Sequence, residues 1–216
     1  MMKNNRIELI SKILFFGAIW GILEATLGYV LHLLPALIAG SVMFPLVMLI
    51  LYRTYKAIGS RTGVLLVGAV AIMIKATNLF LPFLFPAKTI NPMVAMFIQS
   101  LLVFLVLPML DNEKTTVKIS VFAIGSFSWR ILMLAYYGIN YFLTGFMDFR
   151  IANLDAAISF VLWEGLISLA VITVLFYFAS SGILKIGEFR ENFPFLVPCQ
   201  CCNRVYSSPA CSCRLC

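Results

Sequence analysis

The sequence predicts an all-α integral membrane protein, a bundle of six transmembrane helices with both termini in the cytoplasm. Hydrophobic residues make up 62% of its 216 residues and charged residues only 12%, whereas a soluble domain has about 25% charged residues. The mean hydropathy is +1.00. Too little polar material remains to cover a water-exposed surface of this size. A cytosolic enzyme, a nucleic-acid-binding protein and a secreted disulfide-rich domain are therefore excluded as descriptions of the whole chain.

Long runs without charge mark the spans. Residues 33–52, 89–110, 131–147 and 165–184 contain no Asp, Glu, Lys or Arg, and a helix needs roughly 20 mainly apolar residues to cross the hydrocarbon layer. Proline and turn signals lie between the runs, at Pro35 after the first helix, at Pro82 and Pro86 after the third, and at Asn91-Pro92 before the fourth. The six predicted helices cover residues 12–32, 36–52, 63–84, 92–110, 119–141 and 156–181.

The basic residues predict the orientation. Loops on one side hold twelve of them, and the opposite loops hold only Lys88 and Arg150. The twelve are Lys3, Arg6, Lys12, Arg53, Lys56, Arg61, Lys114, Lys118, Lys185, Arg190, Arg204 and Arg214. Because cytoplasmic loops keep the excess of Lys and Arg, both termini are predicted to face the cytoplasm. The net charge of +7 then reflects orientation in the cell membrane, not a nucleic-acid partner. Residues 1–184 form the membrane domain, which begins with a retained first span, and residues 185–216 form a cytoplasmic tail.

Four ionisable residues lie inside predicted spans: Glu24, Lys75, Arg130 and Glu164. A charge near the centre of the bilayer costs about 2.5–3.5 kcal/mol on insertion scales, so these side chains are expected to face the interior of the bundle, in one layer of the outer half. Two interpretations are open. The four charges line a pocket that binds a polar or zwitterionic small molecule, or Glu24–Lys75 and Arg130–Glu164 are ion pairs that fix helix packing.

Helical phase extends each charge into a polar stripe. Asn78 shares a face with Lys75, Tyr137 shares one with Arg130, and Asn91 and Gln99 share one on the fourth helix. The predicted substrate-binding set is thus Glu24, Lys75, Asn78, Asn91, Gln99, Arg130, Tyr137 and Glu164. The second helix offers almost nothing polar beyond Ser41.

The last eighteen residues contain all six cysteines of the chain, Cys199, Cys201, Cys202, Cys211, Cys213 and Cys216. Cytoplasmic thiols stay reduced, so the metal chemistry open to this tail is Zn²⁺ or an iron–sulfur cluster held by thiolates. Cys213 and Cys216 form a C-x-x-C pair and stand opposite the group C-x-C-C at residues 199–202, a spacing that suggests a metal site but is not diagnostic of one. Palmitoylation, redox sensitivity and a tail without a role are the alternatives.

Catalytic and nucleotide-binding motifs are missing from the sequence, including a Walker loop, H-E-x-x-H and G-x-S-x-G. An enzyme is therefore the weaker class. The first helix carries small residues four apart, at Gly17, Gly21 and Ala25, and Asn91-Pro92 opens the fourth helix. With six spans in about 200 residues and both ends cytoplasmic, the chain resembles the S component of energy-coupling-factor vitamin transporters.

That resemblance implies a substrate-binding subunit for the uptake of a small, vitamin-like polar nutrient. It also implies that Gly17, Gly21 and Ala25 dock onto a transmembrane coupling subunit that works with separate ATPases. Lys75 and Arg130 would bind a carboxylate or phosphate, and Glu24 and Glu164 an amine or ring nitrogens. Two other classes stay open: an ion-coupled secondary carrier, and a membrane redox or metal-handling protein that uses the cysteine tail.

Overall fold

The structure is a computed structural model that describes residues 2–31, 36–80, 87–110 and 114–180. Its α-helices are α1 (Met2–Leu31), α2 (Ala36–Ile58), α3 (Arg61–Ala76), α4 (Ala87–Leu110), α5 (Thr115–Thr144), α6 (Leu154–Ile158) and α7 (Glu164–Ser180). Two 3₁₀ turns, Thr77–Phe80 and Phe149–Ile151, follow α3 and precede α6. One π-helical turn, Ser159–Trp163, joins α6 to α7.

The prediction of six long apolar helices is confirmed. Six helical segments within the described residues are long and apolar enough to cross a membrane, the last of them running through α6, the π-helical turn and α7. In each segment less than half of the most apolar stretch is buried inside the protein. The outward-facing remainder is rich in large apolar side chains, as expected where lipid replaces water around a bundle.

The helices form a closed ring in the order α1, α3, α4, α5, α7, α2, with α2 also in contact with α3 and α4. Close approach depends on glycine where two helices lack room for a side chain. A Cβ atom on Gly165 of α7 would lie 2.5 Å from the Phe127 ring of α5, and one on Gly68 of α3 would collide with Ser100 of α4. Helix neighbours are therefore set by small residues inside the bundle.

Several helices extend beyond their predicted bounds, because polar and charged residues next to an apolar run can continue a helix. The first was predicted as 12–32 and covers Met2–Leu31. The second helix was predicted to end at residue 52, but α2 runs on to Ile58 and stops where Gly59 adopts φ +73° and donates its N–H to the Tyr55 carbonyl. The fifth was predicted as 119–141 and covers Thr115–Thr144, ending at Gly145 with φ +71°. Both glycines adopt the left-handed conformation that commonly ends a helix.

The break between the third and fourth helices also differs from the prediction. The third helix, predicted as 63–84, is α-helical only to Ala76 and tightens into the 3₁₀ turn Thr77–Phe80, while residues 81–86 lie outside the described residues. Pro92 does not open the fourth helix, because α4 begins at Ala87. A proline in the second turn removes one hydrogen bond, to the Lys88 carbonyl, and the helix forms around that loss.

Candidate functional site

Arg130 and Glu164 form a buried pair of opposite charges between α5 and α7. The Arg130 side chain is fully buried near the middle of its helix, and Glu164 is the first residue of α7, with 6% of its side chain exposed. The Arg130 Nη2 atom lies 3.9 Å from the Glu164 Oε2 atom. This distance allows electrostatic attraction but exceeds the roughly 2.7–2.9 Å of a charge-assisted hydrogen bond. The predicted ion pair between these two residues is therefore present, but its charged atoms are too far apart to share a hydrogen bond.

Backbone and serine oxygens hold the Arg130 guanidinium. Nη1 donates to the Ser126 carbonyl at 2.8 Å, and Nη2 donates to the Ser41 hydroxyl at 3.3 Å. The Ser41 hydroxyl donates to the Glu164 carbonyl at 3.2 Å, and Ser168 donates to the Ser41 carbonyl at 3.1 Å. Ser41, the lone polar residue noted for the second helix, thus ties α2 to both charged helices.

Aromatic rings form the rest of the Arg130 environment. Its guanidinium carbon lies 4.7 Å from the centre of the Trp129 ring and 5.7 Å from that of Phe160. Phe44 of α2 stacks on Trp129 with a ring separation of 5.7 Å, and Phe160 meets Trp129 edge-on at 6.0 Å. Ring faces attract a cation, and burial of these rings lowers the local polarity, which strengthens the electrostatic contacts of the guanidinium.

Three buried polar atoms on α5 lack a hydrogen-bond partner among the described residues: Ser126 Oγ, Trp129 Nε1 and Arg130 Nε. The three residues are spaced i, i+3 and i+4, so they share one face of the helix. Each side chain belongs to a residue that is at most 4% exposed. Leaving a buried donor unsatisfied costs about 1–3 kcal/mol, so this face of α5 has unused hydrogen-bonding capacity.

Arg150 is a site residue that sequence analysis missed. Its Nη1 atom donates to the Tyr137 hydroxyl and to the Asp148 carboxylate, both at 3.3 Å. Its guanidinium carbon lies 5.3 Å from the Phe160 ring, which is also in contact with the Arg130 guanidinium. The available signal was its position as one of only two basic residues in the loops opposite the basic side.

Glu24 and Lys75 lie on the adjoining helices α1 and α3. Both residues are 9% exposed. Among the described residues, no hydrogen bond or ion pair within 4.0 Å joins them to each other or to Arg130 and Glu164. Of the two predicted ion pairs, the structure therefore forms Arg130–Glu164 and not Glu24–Lys75. Trp20, one turn before Glu24, is fully buried, and its Nε1 has no partner within the described ranges.

The neutral candidates differ in whether they have a hydrogen-bond partner in the protein. The Asn91 Oδ1 atom accepts a hydrogen bond from Tyr136 at 3.0 Å, while the neighbouring Tyr137 hydroxyl accepts one from Arg150. Gln99 is 5% exposed and makes no side-chain hydrogen bond to any described residue. Asn78 is half-buried in the 3₁₀ turn after α3.

The small residues of α1 meet α3 of the same chain. A Cβ atom on Gly17 would lie 2.6 Å from Val70 Cγ1, and one on Gly21 would lie 2.9 Å from Ile74 Cδ1. Ala25 is exposed. The face that the two glycines present is therefore covered inside the bundle, and the docking role of the three residues stays a prediction.

The six cysteines predicted as metal ligands, Cys199, Cys201, Cys202, Cys211, Cys213 and Cys216, lie outside the described residues. Within residues 2–31, 36–80, 87–110 and 114–180, no group of three or more His, Cys, Asp or Glu side chains could hold a metal ion. Comparison with known proteins gives no match to a family model, to a curated protein or to a solved structure.

Proposed function

We propose that this chain is the substrate-binding subunit of an uptake system in the cell membrane, with both termini in the cytoplasm. Its ligand is a small polar nutrient taken from outside. The twelve basic residues in the loops of one side, against two on the other, support this orientation. Since the sequence carries no ATP-binding motif, energy would come from a coupling subunit and ATPases encoded separately, as the resemblance to energy-coupling-factor S components implies.

The observation that carries the proposal is a fully buried arginine in mid-span whose hydrogen-bonding capacity is only partly used. Replacing a buried ion pair by well-packed apolar residues of similar volume often leaves the stability of a protein unchanged or raises it by about 1–4 kcal/mol. The Arg130–Glu164 pair, with 3.9 Å between the charged atoms and an unpartnered Arg130 Nε, is therefore a poor packing device. Ionisable residues inside spans typically mark a binding site or a pathway.

The candidate residues then take distinct roles. Arg130 and Lys75 attract a carboxylate or phosphate, and Glu164 and Glu24 attract an amine. Gln99 and Asn78 have hydrogen-bonding capacity to offer, because neither uses its side-chain amide on a described residue. Asn91 and Tyr137 already have protein partners and would bind ligand by exchanging them. A secondary carrier uses the same buried charges, so transport driven by an ion gradient separates the two functions.

The test is the co-purified ligand. The full chain is purified from cells grown in rich medium and reconstituted in lipid nanodiscs, and small molecules are released and identified by mass spectrometry. Wild type and the control Arg61→Gln, which removes an exposed arginine at the start of α3, are expected to carry one ligand per chain. Arg130→Lys, which keeps the charge but removes Nε, is expected to lose it while keeping a monodisperse elution profile.

Two outcomes contradict the proposal. Wild-type protein without bound small molecule would remove its basis. Uptake into proteoliposomes by the chain alone, driven only by a proton or sodium gradient, would instead establish a secondary carrier.

A further inference from the structure

The polar atoms around Arg130 divide into donors on one helix and an acceptor on another. We call the set Ser126, Trp129, Arg130 and Glu164 the α5–α7 site. Its donor side is the face of α5 that carries three unpartnered polar atoms, Ser126 Oγ, Trp129 Nε1 and Arg130 Nε. Its acceptor side is the Glu164 carboxylate, which accepts no side-chain hydrogen bond from any described residue.

The donors lie close to one another. The Arg130 side chain runs back along its own helix, because Nη1 reaches the Ser126 carbonyl at 2.8 Å. Its guanidinium carbon also lies 4.7 Å from the Trp129 ring. The three donor residues therefore lie on about one turn of α5. Three N–H or O–H groups on one helix face suit the two oxygens of a carboxylate, which accept several hydrogen bonds and bind arginine most strongly.

The acceptor side lies within a few ångströms of this donor side. The Arg130 Nη2 atom and the Glu164 Oε2 atom are 3.9 Å apart. A ligand that binds both residues must therefore carry its negative and positive groups close together. Glu164 is also the first residue after the π-helical turn Ser159–Trp163, and such turns occur frequently at functional sites.

We infer that the α5–α7 site binds the zwitterionic end of an α-amino acid, in which an ammonium group and a carboxylate share one carbon. The carboxylate is held by Ser126 Oγ, Trp129 Nε1 and Arg130 Nε, and the ammonium donates to the Glu164 carboxylate. The inference rests on the proposed binding function and adds the ligand class. The three donors on α5 and the Glu164 carboxylate would then each have a hydrogen-bond partner in the ligand.

The test uses three probes against the purified full chain after its bound ligand has been removed by exhaustive dialysis. The first is an equimolar mixture of the twenty free amino acids. The second holds the same compounds as N-acetyl derivatives, which lack the ammonium, and the third holds them as amides, which lack the carboxylate. The free amino acids are expected to raise the melting temperature, and neither blocked mixture is. A shift of similar size with either blocked mixture, or no shift with any, overturns the inference.

Ser126→Ala tests the donor side with little change in volume, and Ser120→Ala on the exposed face of α5 is its matched control. A hydrogen bond to a charged group contributes about 1.5–3 kcal/mol, so S126A is expected to weaken binding of the responding amino acid about ten- to a hundredfold. Without ligand, S126A is expected to melt at or above the wild-type temperature, because it removes an unsatisfied buried hydroxyl. Unchanged affinity in S126A contradicts the placement of the carboxylate.

The two proposals fail differently. A co-purified ligand with only one of the two charged groups ends the amino-acid inference and leaves the binding subunit standing. Transport by the isolated chain on an ion gradient ends the binding-subunit proposal. A response to free amino acids would still show in that case that the α5–α7 site binds an amino acid.

Discussion

Replacing Gly17 with alanine probes the contact between α1 and α3, where two helices touch without an intervening side chain. The added Cβ atom would lie 2.6 Å from Val70 Cγ1 and 2.7 Å from Val70 Cβ, about 1 Å closer than the usual contact of roughly 3.5–4.0 Å between carbon atoms. The Val70 Cβ atom is anchored to the backbone, so rotation of the side chain cannot move it away. The two helices must separate for the variant to fold.

The expected loss follows from two opposing effects. Overpacking of this kind costs about 1–3 kcal/mol, while alanine is better than glycine within a helix by about 0.8–1.0 kcal/mol. Since the overlap is close to 1 Å and includes a backbone-anchored atom, the net destabilisation is expected to be about 1–2 kcal/mol. In a chain of this length that corresponds to a melting temperature lower by roughly 2–8 °C.

The assay is thermal unfolding in one detergent, followed by intrinsic tryptophan fluorescence. Gly138→Ala is the matched control, because Gly138 lies within α5 and a Cβ atom there meets nothing within 4 Å. That variant is expected to melt at or slightly above the wild-type temperature. Val70→Ala added to Gly17→Ala removes the nearest clashing methyl group, so the double variant is expected to recover part of the loss.

A Gly17→Ala variant that melts with wild type or above it would refute the internal role of this glycine. The outcome also bears on the docking prediction. If Gly17 serves only an external helix, its substitution leaves the isolated chain as stable as before and weakens only the complex with a partner.

Three further perturbations test other parts of the structure. Glu164→Gln leaves the Arg130 charge buried without its counter-charge and is expected to destabilise the chain by about 3–5 kcal/mol, measured as loss of folded yield and melting temperature; a variant as stable as wild type would mean that the pair contributes nothing to folding. Asn153→Ala removes the cap of α6 and is expected to cost about 1 kcal/mol, with Asn153→Asp as the control that keeps a capping oxygen; equal melting of all three chains would contradict the capping role. Truncation after Pro198 is expected to leave ligand binding unchanged, because no tail residue belongs to the proposed site, and equal zinc and iron content in both chains by elemental analysis would end the metal-handling alternative.

The sequence was sufficient for the number of helices and for the burial of the charges, because both follow from the low polarity of the surroundings. Arg130 and Glu164 needed partners of opposite sign, and the ion-pair interpretation matched these two residues, whereas its second pair, Glu24–Lys75, does not form. Helix ends were harder to predict, because charged residues at the end of an apolar run, such as Arg53 and Lys56 in α2, need not stop a helix. Gly59, where α2 ends, was the better signal.

Contacts between distant segments could not be predicted from periodicity. The sequence offered Ser41 as an isolated polar residue, and only packing of α2 against α5 and α7 brings it to Arg130. The approach of Arg150 to Tyr137 depends on the turn after α5, whose conformation leaves no periodic pattern. The separation of Glu24 and Lys75, on α1 and α3, from Arg130 and Glu164, on α5 and α7, likewise depends on the order of helices around the ring, which a single sequence does not specify.

The π-helical turn before Glu164 places one extra residue in the sixth span without interrupting it. A π-helical turn closes its hydrogen bonds one residue later than an α-helical turn, so it takes up the extra residue as a local widening and leaves α6 and α7 in nearly the same rotational phase. Deletion of one residue between Ser159 and Trp163 would convert the turn to α-helix and move mainly the side chains of the turn itself, among them Phe160 against Trp129 and Arg130. A hydropathy profile would register almost no change, so the extra residue is a local constraint that an engineered variant of the site has to respect.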